Sequence, residues 1–393
     1  MSAITDDSAS TAAGGDLAAA YEATLAETFG LYTTATERLL AHLQKVRPLQ
    51  AGEKEAPWLR TLRAEAFDAA RYLLTPAIFT KWGMVVDART LADVVTELKS
   101  HPLAEFRLVG ERMQQEAEKA LPTLLKHARP NSFAQSLQQL VPQIVRDLGL
   151  AATKTHAGPA TGHTELLAWD RELDDRLLAS LLFEHAQQPF AALVQRVKAL
   201  TAGQRQDLMD KVMAARGSHD AWPAAFEGAA PFEFETVLDF GAYRDIGRHR
   251  KGLQQQQLLT TVHGFAVPPL MHEAGLAGEY TATLERAAER QQRLAQRFPH
   301  AAGYVTPFAF LQRVRIVFDP RQVAYFVELR SGPEGHFSYR QVALDMLAHV
   351  RLVSPLFAQF IRAKEGAAFL GRLESELTAD ERRQRRMQAA GDA

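Results

Sequence analysis

The chain has 393 residues, with 45 Lys and Arg against 46 Asp and Glu, which gives a formal net charge of −1. Hydrophobic residues make up 47% and charged residues 23%, so a wholly disordered or collagen-like chain is excluded. The absence of cysteine excludes disulfides, thiolate nucleophiles and iron–sulfur ligation. A balanced charge gives no overall attraction to nucleic acid or to an anionic membrane, and we expect neither as a partner.

Composition and periodicity divide the chain into five segments. No signal peptide and no run of about 20 apolar residues is present in the sequence, which favours a cytoplasmic protein. The predicted segments are a disordered tail at 1–16, a first unit at 17–150, a linker at 151–164, a second unit at 165–377 and a charged tail at 378–393.

The first unit is predicted to be helical around one strand. Apolar residues recur every four positions from Leu17, as in an amphipathic helix. Residues 78–86 (IFTKWGMVV) are rich in β-branched and aromatic side chains and predict a strand. Asp87 is placed to cap the helix that follows, which should end at Lys99. Further helices are predicted at 58–74 and 104–128.

The second unit begins with helical periodicity at 165–200 and continues through a Gly- and Pro-containing loop at 217–231. The alternating run FEFETV at 232–237 predicts a strand. A helix from Asp239 to about Arg250 should follow it.

An internal repeat connects the two units. Residues 70–107, the first block, share a pattern with residues 302–340, the second block: a tyrosine, an extended apolar run, Asp-x-Arg, a helix ending in a cation, and another arginine. The matched pairs are Tyr72 and Tyr304, Asp87 and Asp319, Arg89 and Arg321, Glu97 and Glu328, Lys99 and Arg330, and Arg107 and Arg340. Two copies of one unit can pack as a pseudo-symmetric pair and build sites between them.

The densest polar segment is GAYRDIGRHRKGLQQQQ at 241–257. On a helix, Arg244, Arg248 and Lys251 would share one face, where like charges repel unless an anion binds them. Neutralisation by Asp239 and Asp245 is the alternative explanation.

The repeated cations have a similar pair of explanations. A cation after a strand and another at the end of the next helix can converge on one anion. The helix dipole alone explains Lys99 and Arg330, but it disfavours Arg89 and Arg321 at a helix start. His272-Glu273 lacks the second histidine of a metalloprotease motif, so we expect no metal.

The segment around RHRKG at 248–252 resembles the signature of the flavin-dependent thymidylate synthases, R-H-R-x-x-S-x-N-E-x-S-x-R-Y. The repeated blocks resemble that family's A-R-Y … N-x-R … L-R block, and the closest match is to its long, tandem branch. The fold class implied is α+β, with two synthase-like units in which small sheets are covered by long helices. A homo-oligomer, dimeric or larger, is also implied.

The resemblance implies a chemistry as well as a fold. FAD would receive reducing equivalents from NADPH, and reductive methylation of dUMP would use methylenetetrahydrofolate. Carried over by motif, the FAD-binding residues would be Arg248, His249, Arg250, Arg321 and Arg89. The substrate-binding residues would be Arg330, Arg71, Arg244 and Gln256, and no catalytic residue is assigned.

The sequence departs from the family signature at several positions. Leu253, Leu258 and Thr260 replace the two serines and the last arginine, and Gly228 takes the place of a histidine. Two alternatives therefore stay open: a degenerate, non-catalytic paralogue that binds or scaffolds, and a flavoprotein with another substrate. The flavin interpretation requires Arg248 and Arg321 to share one pocket rather than lie apart, each neutralised by its own acid.

Overall fold

The computed structural model describes residues 12–52, 54–81, 83–150, 163–332 and 335–365. In these ranges the α-helices are α1 (Ala12–Val46), α2 (Glu55–Ala70), α3 (Ala88–Ser100), α4 (Ala104–Glu118), α5 (Pro122–Leu125), α6 (Ser132–Asp147), α7 (Leu173–Ala186), α8 (Phe190–Lys198), α9 (Ala202–Ala214), α10 (Phe240–Ile246), α11 (Pro269–Glu273), α12 (Ala277–Ala295), α13 (Pro320–Arg330), α14 (Phe337–Val353) and α15 (Pro355–Ala358). The 3₁₀ turns are Arg71–Leu73, Ala224–Gly228 and Ala301–Val305. The strands are β1 (His163–Ala168), β2 (Phe232–Asp239), β3 (Leu253–Gln256) and β4 (Leu311–Phe318).

The four strands form one antiparallel sheet in the order β1-β2-β4-β3. Phe232 and Phe234 of β2 point to the buried face, as the alternation predicts. On the other face, Glu233 pairs with Arg315 of β4 at 2.5 Å and Glu235 pairs with Arg313. Cross-strand ion pairs of this kind fix which strand lies beside which.

The buried face of the sheet forms the main core. Phe232, Phe234 and Ile316 pack there against α7, α8, α13 and α14. A second core joins the N-terminal helices to the sheet, because Leu39, Leu62 and Tyr72 share it with residues such as Tyr280 and Phe310. The two blocks also meet through the backbone, since the amide of Phe308 donates to the carbonyl of Leu74 at 2.7 Å. The N-terminal helices therefore hold the sheet that carries the second block.

The strand predicted at 78–86 is wrong, because the described residues of that range form an irregular segment. The side chains of Phe79 and Val85 are fully exposed, and no strand pairs with them in the part of the chain that the structure describes. The tryptophan at position 82 lies outside the described residues. Helices α3 to α6 follow this segment, with a small core of Val95, Leu125 and Ala128.

Other predicted boundaries also change. Helix α1 begins at Ala12, so the described end of the predicted tail is helical. The range 165–200 opens with β1 rather than a helix, and α4 ends at Glu118 rather than at residue 128. Residues 1–11, most of the linker and the charged C-terminal tail lie outside the described residues.

The α+β fold class is confirmed, and in the described ranges long helices surround one small sheet. Asp87 caps α3 as predicted, accepting hydrogen bonds from the amides of Arg89 and Thr90 at 3.0 Å. Asp319 caps α13 in the same way through the amide of Gln322 at 2.8 Å. Among the described helices, none has both the length and the apolarity required to cross a bilayer.

Candidate functional site

A cleft of about 930 Å³ opens beside the first turn of α13 and the turn between α10 and β3. We call it the cationic cleft, because six lysine or arginine side chains line it against four acidic ones. The charged residues of its lining are Arg216, Arg248, Arg250, Lys251, Arg321, Arg330, Asp220, Glu227, Asp319 and Glu328. A surplus of cations in a concave surface attracts anionic ligands.

The turn between α10 and β3 carries the RHR segment, residues 248–250, and the residues on either side of it determine its conformation. Asp239 caps α10 through the amide of Ala242 at 2.6 Å, and the helix stops at Ile246. Gly252 then adopts φ +80°, and a Cβ there would lie 2.5 Å from the carbonyl oxygen of Val317. Only glycine fits this approach to β4. The predicted helix from Asp239 to about Arg250 is present but ends at Ile246. The shared helical face is wrong, because Arg248 and Lys251 lie beyond the end of the helix that carries Arg244.

His249 is buried at the inner wall of the cationic cleft, 5% exposed, with its ring edge-on to Phe326. Burial, and then the charge of Arg330, lowers the pKa of His249 to about 4, so the imidazole is neutral at pH 7. The Nε–H of Arg330 donates to His249 Nε2 at 2.8 Å. The imidazole proton is therefore on Nδ1, which has no hydrogen-bond partner among the described residues.

Arg330 is held rigidly at the end of α13. Besides its bond to His249, its Nη2 donates to the carbonyl of Asp245 at 2.7 Å, and its guanidinium lies 5.2 Å from the centre of the Tyr339 ring. These contacts orient the charge without neutralising it, because an imidazole nitrogen, a carbonyl and an aromatic ring carry no formal charge.

Glu227, in the second 3₁₀ turn, contacts two of the cations. Lys251 Nζ lies 2.5 Å from its Oε1, and Arg321 donates to the same oxygen. The hydrogen bond from Lys251 and then that from Arg321 lower the pKa of Glu227 below its usual value. Arg321 thus enters the cleft already paired, on an acid that two cations share.

A buried ion pair forms one wall of the cleft. Both terminal nitrogens of Arg216 donate to the Glu328 carboxylate, at 2.9 and 2.7 Å, and the Arg216 side chain is 7% exposed. Trp222 Nε1 donates to the same carboxylate at 3.1 Å, and its ring lies under the guanidinium. This pair is saturated, so it shapes the wall rather than offering a free charge.

A second group of arginines surrounds Asp245, next to the cleft. Arg248 lies 3.3 Å and Arg71 lies 3.6 Å from its carboxylate. Arg244 stacks 4.4 Å from the centre of the Phe308 ring, and burial and the charge of Arg71 lower its pKa. The neutralisation by Asp245 considered from the sequence is present, although Arg248 is 72% exposed and such surface pairs contribute only about 0–1 kcal/mol.

The structure brings together most of the residues predicted to bind a cofactor. Arg248, His249, Arg250 and Arg321 line one cleft, together with Arg330. Arg250 is exposed and forms no hydrogen bond or ion pair with a described residue. Arg248 and Arg321 share the cleft as the flavin interpretation requires, although each also has an acidic neighbour.

Other predicted site residues lie elsewhere. Arg71 and Arg244 border Asp245, outside the cleft lining. Arg89 is exposed on α3, away from the cleft, and Gln256 lies on β3, where it accepts from Gln312 at 3.1 Å. The structure therefore does not place Arg89 and Gln256 with the others.

Sequence reasoning missed Arg216, and it named Asp245 only as one of two neutralising acids. Arg216 follows α9 before a glycine turn, and nothing in that pattern signals its pairing with Glu328, 112 residues later. Asp245 had a signal, since it lies between two cations of the RHR segment. Within the described residues, no group of three histidine, aspartate or glutamate side chains is placed to hold a metal.

Comparisons with known proteins give three relatives at the sequence level. A UPF0159 protein of Chlamydia pneumoniae is 28% identical over 356 residues, covering 89% of this chain and 67% of the relative. One of Chlamydia muridarum is 27% identical, covering 88% and 67%, and one of Thermoplasma acidophilum is 25% identical, covering 81% and 63%. The chain thus spans about two thirds of the length of these relatives.

Among solved structures, the UMP/dUMP methylase PolB of Streptomyces cacaoi, bound with 5-Br dUMP, is 16% identical. The match covers 51% of this chain and 95% of that chain with a TM-score of 0.43, and we draw no conclusion from it. The family model described as thymidylate synthase complementing protein matches residues 3–123 and 177–356, about three quarters of the sequence and both repeated blocks. The chain therefore belongs to the thymidylate synthase complementing protein family.

Proposed function

We propose that the chain binds FAD in the cationic cleft and acts as a thymidylate synthase-like enzyme that methylates dUMP. The observation that carries this proposal is the convergence on one cleft of Arg250, from the turn after α10, with Arg321 and Arg330, from the two ends of α13. Membership of the thymidylate synthase complementing family supports the class of reaction.

The residues present fit a flavin dinucleotide. A volume of about 930 Å³ is at the upper end of the range for small-molecule sites, as a ligand of this size needs. Guanidinium groups bind pyrophosphate oxygens through paired donors. The buried Nδ1–H of His249 has no acceptor within the described ranges, and Tyr325, 53% exposed in the lining, offers a ring face for stacking.

When bound, FAD would supply the redox chemistry of the reaction, and the chain's own residues would bind and orient. Arg250, which pairs with no acid among the described residues, could meet a phosphate directly. Arg321 and Lys251 already share Glu227, so an incoming phosphate would compete with that carboxylate for them. His249 and the carbonyl of Asp245 would keep Arg330 in a fixed orientation for an anion.

The substrate side of the proposal rests on the arginines beside Asp245. Arg71 comes from the first unit and Arg244 from the second, and both lie near the Asp245 carboxylate. Arg248 also lies against Asp245, and Arg71 lies 3.8 Å from Asp68, so three arginines face two acids. The surplus positive charge suits the phosphate of a mononucleotide such as dUMP. Methylenetetrahydrofolate and NADPH would be the one-carbon donor and the reductant.

A visible absorption spectrum of the purified protein tests the cofactor. We expect flavin absorbance, or its appearance with quenched fluorescence when FAD is added. Arg250→Gln should weaken FAD binding about tenfold or more, because it removes a charge-assisted hydrogen bond. Arg112→Gln, an exposed arginine on α4 outside the cleft, is the matched control. A protein that takes up no FAD contradicts the proposal.

A second candidate is a binding or scaffold protein without synthase activity. It is favoured by Leu253 and Leu258, which take the places of the signature serines and are 50% and 55% exposed. A leucine cannot donate a hydrogen bond to a nucleotide. Formation of dTMP from dUMP, methylenetetrahydrofolate, NADPH and FAD would eliminate this candidate. Flavin binding without any thermal shift on adding dUMP would instead favour a different substrate.

A further inference from the structure

Helix α6, Ser132–Asp147, is a helix whose apolar face has nothing to cover it in the part of the chain that the structure describes. Every residue of α6 is described, and none is buried. Phe133, Leu140 and Ile144 are 69%, 53% and 43% exposed. The helix lies outside both segments matched by the family model, 3–123 and 177–356.

Few contacts attach α6 to the rest of the fold. The amide of Asn131 donates to Ser100 Oγ at 2.8 Å, and Gln138 Nε2 donates to the Ser100 carbonyl at 3.0 Å. Most of the stability of a protein helix comes from the burial of its apolar face, and a helix of about 12–15 residues is only marginally stable alone in water. Helix α6 therefore needs a covering surface.

The apolar side chains form a single stripe, which we call the α6 stripe. Its members are three or four residues apart, except for the adjacent pair at 140 and 141, and all of them lie on one side of the helix. Its members are Phe133, Leu137, Leu140, Val141, Ile144 and Leu148, the last directly after the helix end. All six are more than one third exposed.

The order of the stripe is symmetric about its own midpoint. In an antiparallel pair of α6 helices centred between positions 140 and 141, Phe133 of one copy would meet Leu148 of the other. Leu137 would meet Ile144 in the same register. Leu140 would meet Val141. A two-fold pair thus gives each member an apolar partner, as a self-complementary interface requires.

The charges of α6 favour the same occupant. Arg146 and Asp147 are the only charged residues of the helix, so the stripe brings no like charges together when it meets a copy of itself. Helices that lie in membrane surfaces carry several lysines or arginines on the polar face, which α6 lacks. Nucleic acid is disfavoured for the same reason.

We propose that the α6 stripe is a homodimer interface, in which α6 packs antiparallel against α6 of a second copy. At 1.5 Å per residue, the 16-residue helix gives a seam about 24 Å long. Exposed apolar residues of α4, Leu108 and Val109, offer further area from the same unit. The interface is independent of the proposed flavin chemistry.

Size measurement of the full chain by sedimentation tests the interface. We expect the wild-type protein to associate and the Leu140→Glu/Ile144→Glu variant to fall to half the mass. Both side chains are exposed in the single chain, so circular dichroism should stay unchanged. Gln139→Glu, on the opposite side of α6, is the control and should keep the wild-type mass. A monomeric wild type, or a double variant of unchanged mass, overturns the proposal.

Disulfide cross-linking tests the antiparallel register. Because the sequence contains no cysteine, disulfides can form only between introduced cysteines. Under mild oxidation, an equal mixture of Phe133→Cys and Leu148→Cys chains should form disulfide-linked dimers, and each variant alone should form few. Dimers from Phe133→Cys alone would indicate a parallel pair and overturn the register. If the wild-type protein is monomeric and binds neutral phospholipid vesicles through the α6 stripe, the partner of the stripe is a membrane and the homodimer proposal is overturned.

Discussion

The two repeated blocks carry the same local pattern and lie in different surroundings. In the second block the apolar run becomes β4, between β2 and β3, with Val314, Ile316 and Phe318 buried. In the first block the corresponding run is irregular, with Phe79 and Val85 fully exposed. A β-prone sequence fits a half-buried pleated surface and forms a strand only where neighbours supply one.

The features that depend on nearby residues alone are the same in both blocks. Asp87 and Asp319 cap the helices that follow them. Arg107 donates to the carbonyls of His101 and Pro102 after α3, and Arg340 donates to the Ser331 carbonyl after α13. The difference between the blocks therefore comes from long-range packing. Matched substitutions in the two blocks should reveal it.

The largest difference is expected for phenylalanine. Phe318→Ala should lower the free energy of unfolding by about 3–5 kcal/mol, because it leaves a cavity beneath the sheet. Phe79→Ala, the same change on an exposed side chain, should stay within about 0.5 kcal/mol. Urea titrations of both variants measure this. A large loss for Phe79→Ala would mean that the first block is packed in the folded protein.

The next difference concerns the matched glutamates at the ends of the two helices. Glu328→Gln should cost about 1.5–3 kcal/mol, because it removes the charge partner of the buried Arg216. Glu97 is exposed on α3, and Glu97→Gln should leave the urea midpoint in place. Equal midpoints for the two variants would show that the Arg216–Glu328 pair does not stabilise the cleft wall.

The matched arginines distinguish the blocks in ligand binding. On the proposed function, Arg321→Gln should weaken FAD binding roughly tenfold, because Arg321 lines the cationic cleft. Arg89→Gln should have no effect within a single chain, since Arg89 lies away from the cleft. Fluorescence titration with FAD measures both. Weaker binding in Arg89→Gln would show that a second copy brings Arg89 to the site.

The smallest difference is in the titration of the two capping aspartates. Hydrogen bonds from Thr90 lower the pKa of Asp87 below 3.8, and burial raises the pKa of Asp319 above it. Asp87 thus adds stability above pH 3.8 that is lost as the pH falls through its folded pKa. Asp319 does the reverse, since its ionisation costs stability as the pH rises from 3.8 through its folded pKa.

Asparagine keeps both caps and removes their charge. Asp87→Asn should flatten the acid limb of the stability–pH curve, and Asp319→Asn should steepen the rise with pH just above 3.8. Side-chain NMR titration checks the two pKa directions directly. Identical pKa values for Asp87 and Asp319 would contradict the difference between their surroundings.

The sequence predicted the features that neighbouring residues determine. The cap at Asp87 follows from one acidic side chain before a helix. The strand at 232–237 follows from alternation. The α+β class and the presence of Arg248, His249 and Arg321 in one cleft came from motifs rather than from packing.

The features that sequence reasoning missed depend on contacts between distant residues. Whether residues 78–86 form a strand depends on a partner elsewhere in the chain. The Arg216–Glu328 pair joins residues 112 positions apart. The approach of Gly252 to β4 depends on a strand far along the chain, which no local periodicity records.

Gly252 also limits how this loop can change over evolution. The charged side chains at positions 248, 250 and 251 are all exposed, with Arg248 and Lys251 in surface ion pairs, so exchanging them alters affinity without moving the backbone. Any larger residue at position 252 would collide with the neighbouring strand and displace all three side chains together. Substitutions in this loop can therefore change its affinity for a ligand one charge at a time. The backbone geometry of the loop, in contrast, depends on the glycine at position 252.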